Sequence, residues 1–177
     1  METIYIETER LILRSWKEAD RSAFAEINRN THVMRYFPAP LSKEESDNFV
    51  DRIIAELEEY GLGLYAVEIK DTGEFIGYVG FHRFNFDAPI SPAWEIGWRI
   101  SDRYWHKGFA TEAAAACIAH ARGHQLLATL YSFTSIHNLP SENVMKRIGM
   151  TYAGTFMHPA LPDGHTLKEH KLYTIHL

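Results

Sequence analysis

The stretch that most constrains this chain is RYWHKGFATEAAAACIAHAR, Arg103 to Arg122. A strand-like segment, AWEIGWRI, runs into it, and two aromatics and a cation lead to a glycine turn. The alanines from Ala113 to Ala116 let a helix lie close to a sheet, because no long side chains hold the two apart. The first turn of any helix leaves about four backbone N–H groups without internal partners. With the helix dipole, these make an anion site. Gly108, which has no bulk, admits a phosphate to the main chain, Thr111 adds a hydroxyl donor, and Lys107 adds a charge. The local reading is a strand–turn–helix phosphate cradle, and its rival is a plain glycine turn before an Ala-rich core helix. Neither G-x-G-x-x-G nor G-x-x-x-x-G-K-[ST] is present.

Around that unit the chain reads as alternating elements. RLILRSW suits a strand with one buried face, and Asp20 can cap a short helix to about Asn28. Ser42 with Glu45 is a capping box for KEESDNFVDRIIAELEEYG, which Gly61 stops. LYAVEIK, DTGE and FIGYVGFHRFNF form a hairpin, and AWEIGWRI is a further strand. After the alanine helix come LLATLYSFT as a strand, a helix opened by Pro140, and two closing strands around LPDG. This order predicts an α/β (α+β) domain with a mixed sheet of about seven strands flanked by helices. The length of 177 residues and the absence of a linker favour a single domain over 1–177.

NLPSENVMKRIGM carries Asn138, Ser141, Asn143 and Lys146 on a loop and the helix it opens, roughly thirty residues after Gly108. Two such strand–helix units in sequence resemble the GNAT superfamily of acetyl-CoA-dependent N-acyltransferases. More narrowly they resemble its ribosomal-protein N-terminal (Rim-type) acetyltransferase branch. The resemblance covers nearly the whole chain: TERLILRSWKEAD at the start, GEFIGYVGF, AWEIGWRISDRYWHKGFATEA, NLPSENVMKRIGM and LPDGHTLKEHKLY. The chain departs from the common [QR]-x-x-G-x-[GA] loop, with Trp105 in the first place and His106 where a glycine is frequent. A positive φ at 106 would strain a histidine. The two readings of His106 are a tolerated substitution and an added pyrophosphate donor.

The resemblance implies acetyl-CoA as co-substrate, with pantetheine slotted between the family's splayed fourth and fifth strands, here EIGWRI and LYSFTS. Main-chain N–H groups near Trp98, Arg99 and Ile100 would hold the thioester and its oxyanion. Trp105, His106, Lys107, Gly108, Phe109, Ala110 and Thr111 would form the pyrophosphate loop. Asn138, Asn143 and Lys146 would add cofactor contacts, although Lys146 reads equally as a solvated helix lysine. Acetyl transfer to an amine needs a base for the amine, donors for the oxyanion and a proton for the thiolate. Glu95 is the candidate base, against a structural carboxylate paired with an arginine across the sheet, or water as base. Ser141 is the candidate acid, against a plain helix-cap serine, with Tyr131 and Tyr152 as alternatives. Tyr36, Phe37, Phe81 and Arg83, with Phe84 and Phe86, are candidates for the acceptor groove, and several of these aromatics suit core or rim equally well.

Other classes find less support. The ten histidines show no H-E-x-x-H, so no metal is expected, and no G-x-S-x-G is present. Cys117, the one cysteine, reads as core and excludes an internal disulfide, which fits a cytoplasmic setting. No signal peptide or membrane span is expected. The net charge of −5 and the scattered Lys and Arg lack the footprint of a nucleic-acid binder. The expected acceptor is a primary amine, either a peptide N-terminus or a small molecule such as a polyamine, amino acid or antibiotic. A regulatory CoA-binding module without chemistry is the alternative from another class, and a homodimer is left open.

Overall fold

The computed structural model describes residues 2–85 and 93–177. In chain order the elements are β1 (Ile4–Glu7), β2 (Leu11–Arg14), α1 (Asp20–Arg29), α2 (Lys43–Tyr60), β3 (Leu64–Ile69), β4 (Glu74–Phe84) and β5 (Ala93–Ile100). A short turn of 3-10 helix (Asp102–Tyr104) leads to α3 (Phe109–Gly123), β6 (Thr129–Ser135), α4 (Leu139–Arg147), β7 (Thr151–Met157) and β8 (Glu169–His176). One mixed sheet runs in the order β1-β2-β3-β4-β5-β6-β8-β7. All neighbours are antiparallel except β5 and β6.

The sheet has eight strands rather than the expected seven, because β1 forms a separate hairpin with β2. Its turn lacks glycine or proline. Instead Thr8 closes it: the Thr8 N–H donates to the Leu11 carbonyl at 3.0 Å, and the Leu11 N–H donates back to the Thr8 hydroxyl at 2.9 Å. The Ser42–Glu45 capping box is formed and Gly61 ends α2 in the left-handed region, as its sequence predicts. Asp20 is not a cap of the expected kind. It is the first residue of α1, and its carboxylate accepts from the Lys17 N–H and from the Arg14 guanidinium.

Helices cover both faces of the sheet. Phe24 and Ile27 of α1 pack with Val50, Ile53 and Leu57 of α2 over one face, alongside Tyr78. On the other, α3 buries Phe109, Ala113, Ala114, Cys117, Ile118 and Ala121, so the alanine run does bring its helix down onto the strands. A fully buried ring such as Phe24 contributes roughly 1.5–3 kcal/mol by leaving water. Among the described residues, no helix is long and apolar enough to cross a membrane.

Candidate active site

The parallel pair β5–β6 meets at a single bridge, Glu95 with Tyr131. Beside it the Ser132 hydroxyl donates to the Ile96 carbonyl at 2.9 Å. On its other edge β5 pairs with β4 over its full length, from Ala93 to Ile100. From Gly97 onward the two parallel strands therefore part, and one edge of β5 faces a wedge. Main-chain groups on such an edge require partners, which an extended ligand can supply.

At the mouth of the wedge, the turn before α3 bends through the left-handed region twice, at His106 (φ 61) and Gly108 (φ 82). Histidine is among the few side chains that tolerate this region, so the unusual residue at 106 is compatible with a strained loop. The Glu112 N–H takes the Gly108 carbonyl at 3.0 Å. The N–H groups of Phe109, Ala110 and Thr111 therefore start the helix without helical acceptors. The side chains of His106 and Lys107 are exposed, and Trp105 donates its indole N–H to the Ile100 carbonyl at 2.8 Å, tying the loop to the end of β5. A second tie comes from the N-terminus. Arg10 donates to the Lys107 carbonyl at 3.0 Å, pairs with Glu112 at 2.6 Å, and lies over the Phe109 ring. Glu112 also accepts from the Thr8 hydroxyl at 2.6 Å and the Arg10 N–H at 3.0 Å. Partial burial acts the other way, yet these donors hold the Glu112 carboxyl below its ordinary range.

Deeper in the wedge, Asn138 caps α4, its side-chain oxygen accepting from the Ser141 N–H at 3.3 Å. The Ser141 hydroxyl accepts from the Asn138 amide at 3.2 Å and from the Trp98 indole N–H at 3.3 Å. With two donors directed at its oxygen, the hydroxyl keeps its own proton free to give. Asn138 also donates to Thr134, on β6, at 2.9 Å. Tyr131 lies on the strand opposite Glu95, whereas Tyr152 is on the outermost strand and exposed.

On β5, positions 95, 97 and 99 project to one face and 94, 96, 98 and 100 to the other. Glu95 thus shares a face with His82, its cross-strand partner, and with the α1–α2 layer. Among the described residues no arginine pairs with it across the sheet, where its partners are His82 and Tyr131. His82 instead binds Glu56 of α2 at 2.7 Å, and this bond raises the imidazole above its ordinary value. Burial pushes the Glu95 carboxyl up to about 7, Glu56 adding to the effect and His82 opposing it. A carboxyl poised there can exchange a proton near neutral pH.

The remaining predicted residues fall into several groups. Phe81 was expected in an acceptor groove but is fully buried with its ring edge-on to Tyr65, so it belongs to the core. Arg83 is exposed and donates to the Tyr60 hydroxyl at 3.1 Å, at the rim of a cavity of about 260 Å3 that Glu56 and Glu59 also line. Tyr36 and Phe37 sit in the α1–α2 loop; Phe37 is exposed and covers the Arg99 guanidinium at 4.2 Å. Phe84 packs against Tyr131 and Phe133, while Phe86 lies outside the described residues. Ile100 and Phe109 bury their side chains and present only main chain to the wedge. Asn143 is exposed, and Lys146 pairs with Glu142 at 2.9 Å. Among the described residues, no cluster of side chains is arranged to hold a metal ion. The roles of Glu112, Thr8 and Asn28 were not legible, because their partners are distant in sequence. The TER triplet, Thr8 to Arg10, is the one local signal, and it covers Thr8 alone of the three.

A parallel pair that parts beside a helix-start anion site, in a sheet of this strand order, defines the fold of the acyl-CoA-dependent N-acetyltransferases. The profile of the acetyltransferase (GNAT) domain matches residues 10–151, and the chain belongs to that family. It is similar to the uncharacterized N-acetyltransferase YnaD of Bacillus subtilis (strain 168), with 28% identity over 97% of this chain and 96% of that one. A GNAT-family acetyltransferase structure from Bacillus anthracis superposes with a TM-score of 0.81 at 28% identity, covering 98% of both chains. The fold is also that of RimL, a ribosomal L7/L12 alpha-N-protein acetyltransferase solved with coenzyme A, with a TM-score of 0.80 at 19% identity and 98% coverage of each chain. The chain is thus an N-acetyltransferase of the GNAT family.

Proposed function

We propose that residues 1–177 form one acetyltransferase domain that moves an acetyl group from acetyl-CoA to a primary amine, the favoured acceptor being a peptide N-terminus. The observation that carries this reading is the Ser141 hydroxyl, held by two donors in the wedge with its own proton free. Across the strand, the Glu95 carboxyl is raised to about 7. The N–H groups of Phe109, Ala110 and Thr111, with those of His106, Lys107 and Gly108, would hold the pyrophosphate, and the open edge of β5 from Trp98 to Ile100 would hold the thioester. Asn138 would bond the pantetheine arm, and Asn143 and Lys146, on the helix it caps, would add cofactor contacts. Glu95 takes the amine proton, the nitrogen adds to the thioester carbonyl, and the C–S bond breaks as Ser141 gives its proton to sulfur. Tyr36, Phe37 and Arg83 line the approach of the acceptor. A cytoplasmic location fits this chemistry.

A small cationic amine is the second reading, favoured by the open cavity where Glu56 and Glu59 face Arg83 and Tyr60. The test is thiol release from acetyl-CoA with pools of short peptides and of small amines, products weighed by mass spectrometry. Acetylated peptides support the first reading, and acetylated small amines alone support the second. Acetyl-CoA binding without any product would leave a CoA-binding module and overturn both.

A further inference from the structure

Among the described residues two arginines are buried, Arg14 and Arg99, and the fold treats them differently. Arg14 is enclosed by acids: Asp20 and Glu68 at 2.7 Å and Glu2 at 3.3 Å. Arg99, only 7% exposed, has no carboxylate within ion-pair distance among the described residues. Its Nη1 donates to the neutral Asn28 side chain at 2.6 Å, and its Nε–H has no acceptor. The rings of Phe37, Phe49 and Tyr78 surround it at 4.2, 5.6 and 5.5 Å. Ring faces offset part of the cost of burying a guanidinium, but they do not satisfy an N–H. Of these three rings only Phe37 is exposed, and it belongs to the α1–α2 loop. Asn28 is itself fixed by Ser46, to which it donates at 2.8 Å, so the guanidinium is held in place before any ligand arrives.

Arg99 stands on the same face of β5 as Glu95, with Gly97 between them. A Cβ added at Gly97 would meet nothing within 4 Å, and the residue opposite on β4 is Gly80. That face therefore carries, in order, a carboxyl able to take a proton, an open space, and a preformed cation short of an anion. Positions 95 and 99 are two same-face steps apart on the strand, roughly 13 Å between their Cα atoms, and their long side chains can lean toward the space above Gly97. A small acceptor can thus place its amine toward Glu95 and its far end at Arg99.

The geometry points to an acceptor that carries a carboxylate, bound by the Nε edge of Arg99, several bonds from the amine that is acetylated. A carboxylate fits because its two oxygens match the parallel N–H groups of a guanidinium edge. This inference rests on the acetyl-transfer reading above and narrows its acceptor class. It accommodates ω-amino carboxylates and short peptides with free C-termini, and it disfavours polyamines, which would leave Arg99 unpaired.

The experiment compares ω-amino carboxylates of graded length with their neutral amides, as acceptors for the wild-type enzyme and for Arg99→Gln and Arg99→Lys. At the best length the carboxylate is expected to exceed its amide in kcat/KM by about tenfold to hundredfold, the range set by hydrogen bonds to charged groups. Most of the difference should lie in KM. Arg99→Gln should erase the preference, and Arg99→Lys should keep part of it. Equal use of carboxylates and amides by the wild-type enzyme, or a preference that survives Arg99→Gln, would overturn the inference. If Arg99→Gln does not fold, Gly97→Val fills the space while leaving the guanidinium in place. Calorimetry should then show weakened binding of the carboxylate probe, and unaltered binding would overturn the inference. If no amine is acetylated at all, acetyl transfer itself fails, and calorimetry reads the anion site separately. Binding of the carboxylate but not its amide supports the site, and binding of neither removes it.

Discussion

Glu95→Gln tests the base and its environment in one variant. The Glu95 carboxyl sits at about 7 against an ordinary 4.5, burial being the main cause. The folded protein therefore holds this proton more tightly than the unfolded chain does. Below the ordinary value both states are protonated and the group costs nothing. Between 4.5 and about 7 the unfolded chain ionises first, so stability falls as pH rises, and above that window the whole penalty is in force. The gap corresponds to about 3 kcal/mol as a ceiling. Because the carboxyl keeps some solvent contact and attracts His82, about 1–2 kcal/mol is the working value. Glu95→Gln should thus melt about 3–6 °C higher than wild type at pH 8 and almost together with it at pH 5. Acetyl transfer should drop by about a hundredfold and lose its rise through neutral pH, since the ionised form is the base. Melting curves and kcat/KM profiles across that range decide the matter. A melting gain that ignores pH, or a loss at pH 8, would refute the buried-carboxyl argument. An unchanged rate profile would remove Glu95 as the base.

Ser141→Ala should lower kcat by about tenfold to hundredfold with little change in KM for acetyl-CoA. The defect should shrink with an acyl donor whose thiol is more acidic, because a better leaving group needs the proton less. Glu112→Gln strips Arg10 of its partner and loosens the loop from the N-terminal hairpin. It should raise the acetyl-CoA KM several-fold and destabilise the fold by about 1–3 kcal/mol, read by calorimetry and denaturation. Arg14→Met leaves Asp20 and Glu68 facing one another without their cation, and should cost about 3–5 kcal/mol in urea melts at neutral pH.

Local signals carried most of the fold. The box at Ser42 and Glu45 and the stop at Gly61 are short-range rules, and each is realised at its expected position. The turn at Thr8 failed to register because a threonine hydroxyl replaces the usual glycine. Asp20 misled for a related reason: its carboxylate matches a cap, but a buried arginine competes for it at 2.7 Å. The candidate site was legible where chemistry follows the chain, as at Gly108 and Ser141. It was not legible where two side chains meet across the fold. Glu112 with Arg10, His82 with Glu56 and Asn28 with Arg99 are separated by 102, 26 and 71 residues, and no local pattern announces them. Phe81 and Phe37 are alike in residue type, and only the strand register and the loop path separate a core ring from a surface one.

The narrow join between β5 and β6 also bears on how the protein comes apart. Among the described residues, β5 and β6 themselves are joined by one bridge and one serine hydrogen bond, at the seam between a panel of five strands and a panel of three. Each panel is well laced internally, since β8 pairs along its length with β6 and β7. The seam between them is therefore the natural place for partial opening, with amides of β6, β7 and β8 exchanging as one cooperative block and those of β1 to β5 as another. A ligand lying along that seam would act as a missing stitch, merging the two blocks into a single unfolding unit.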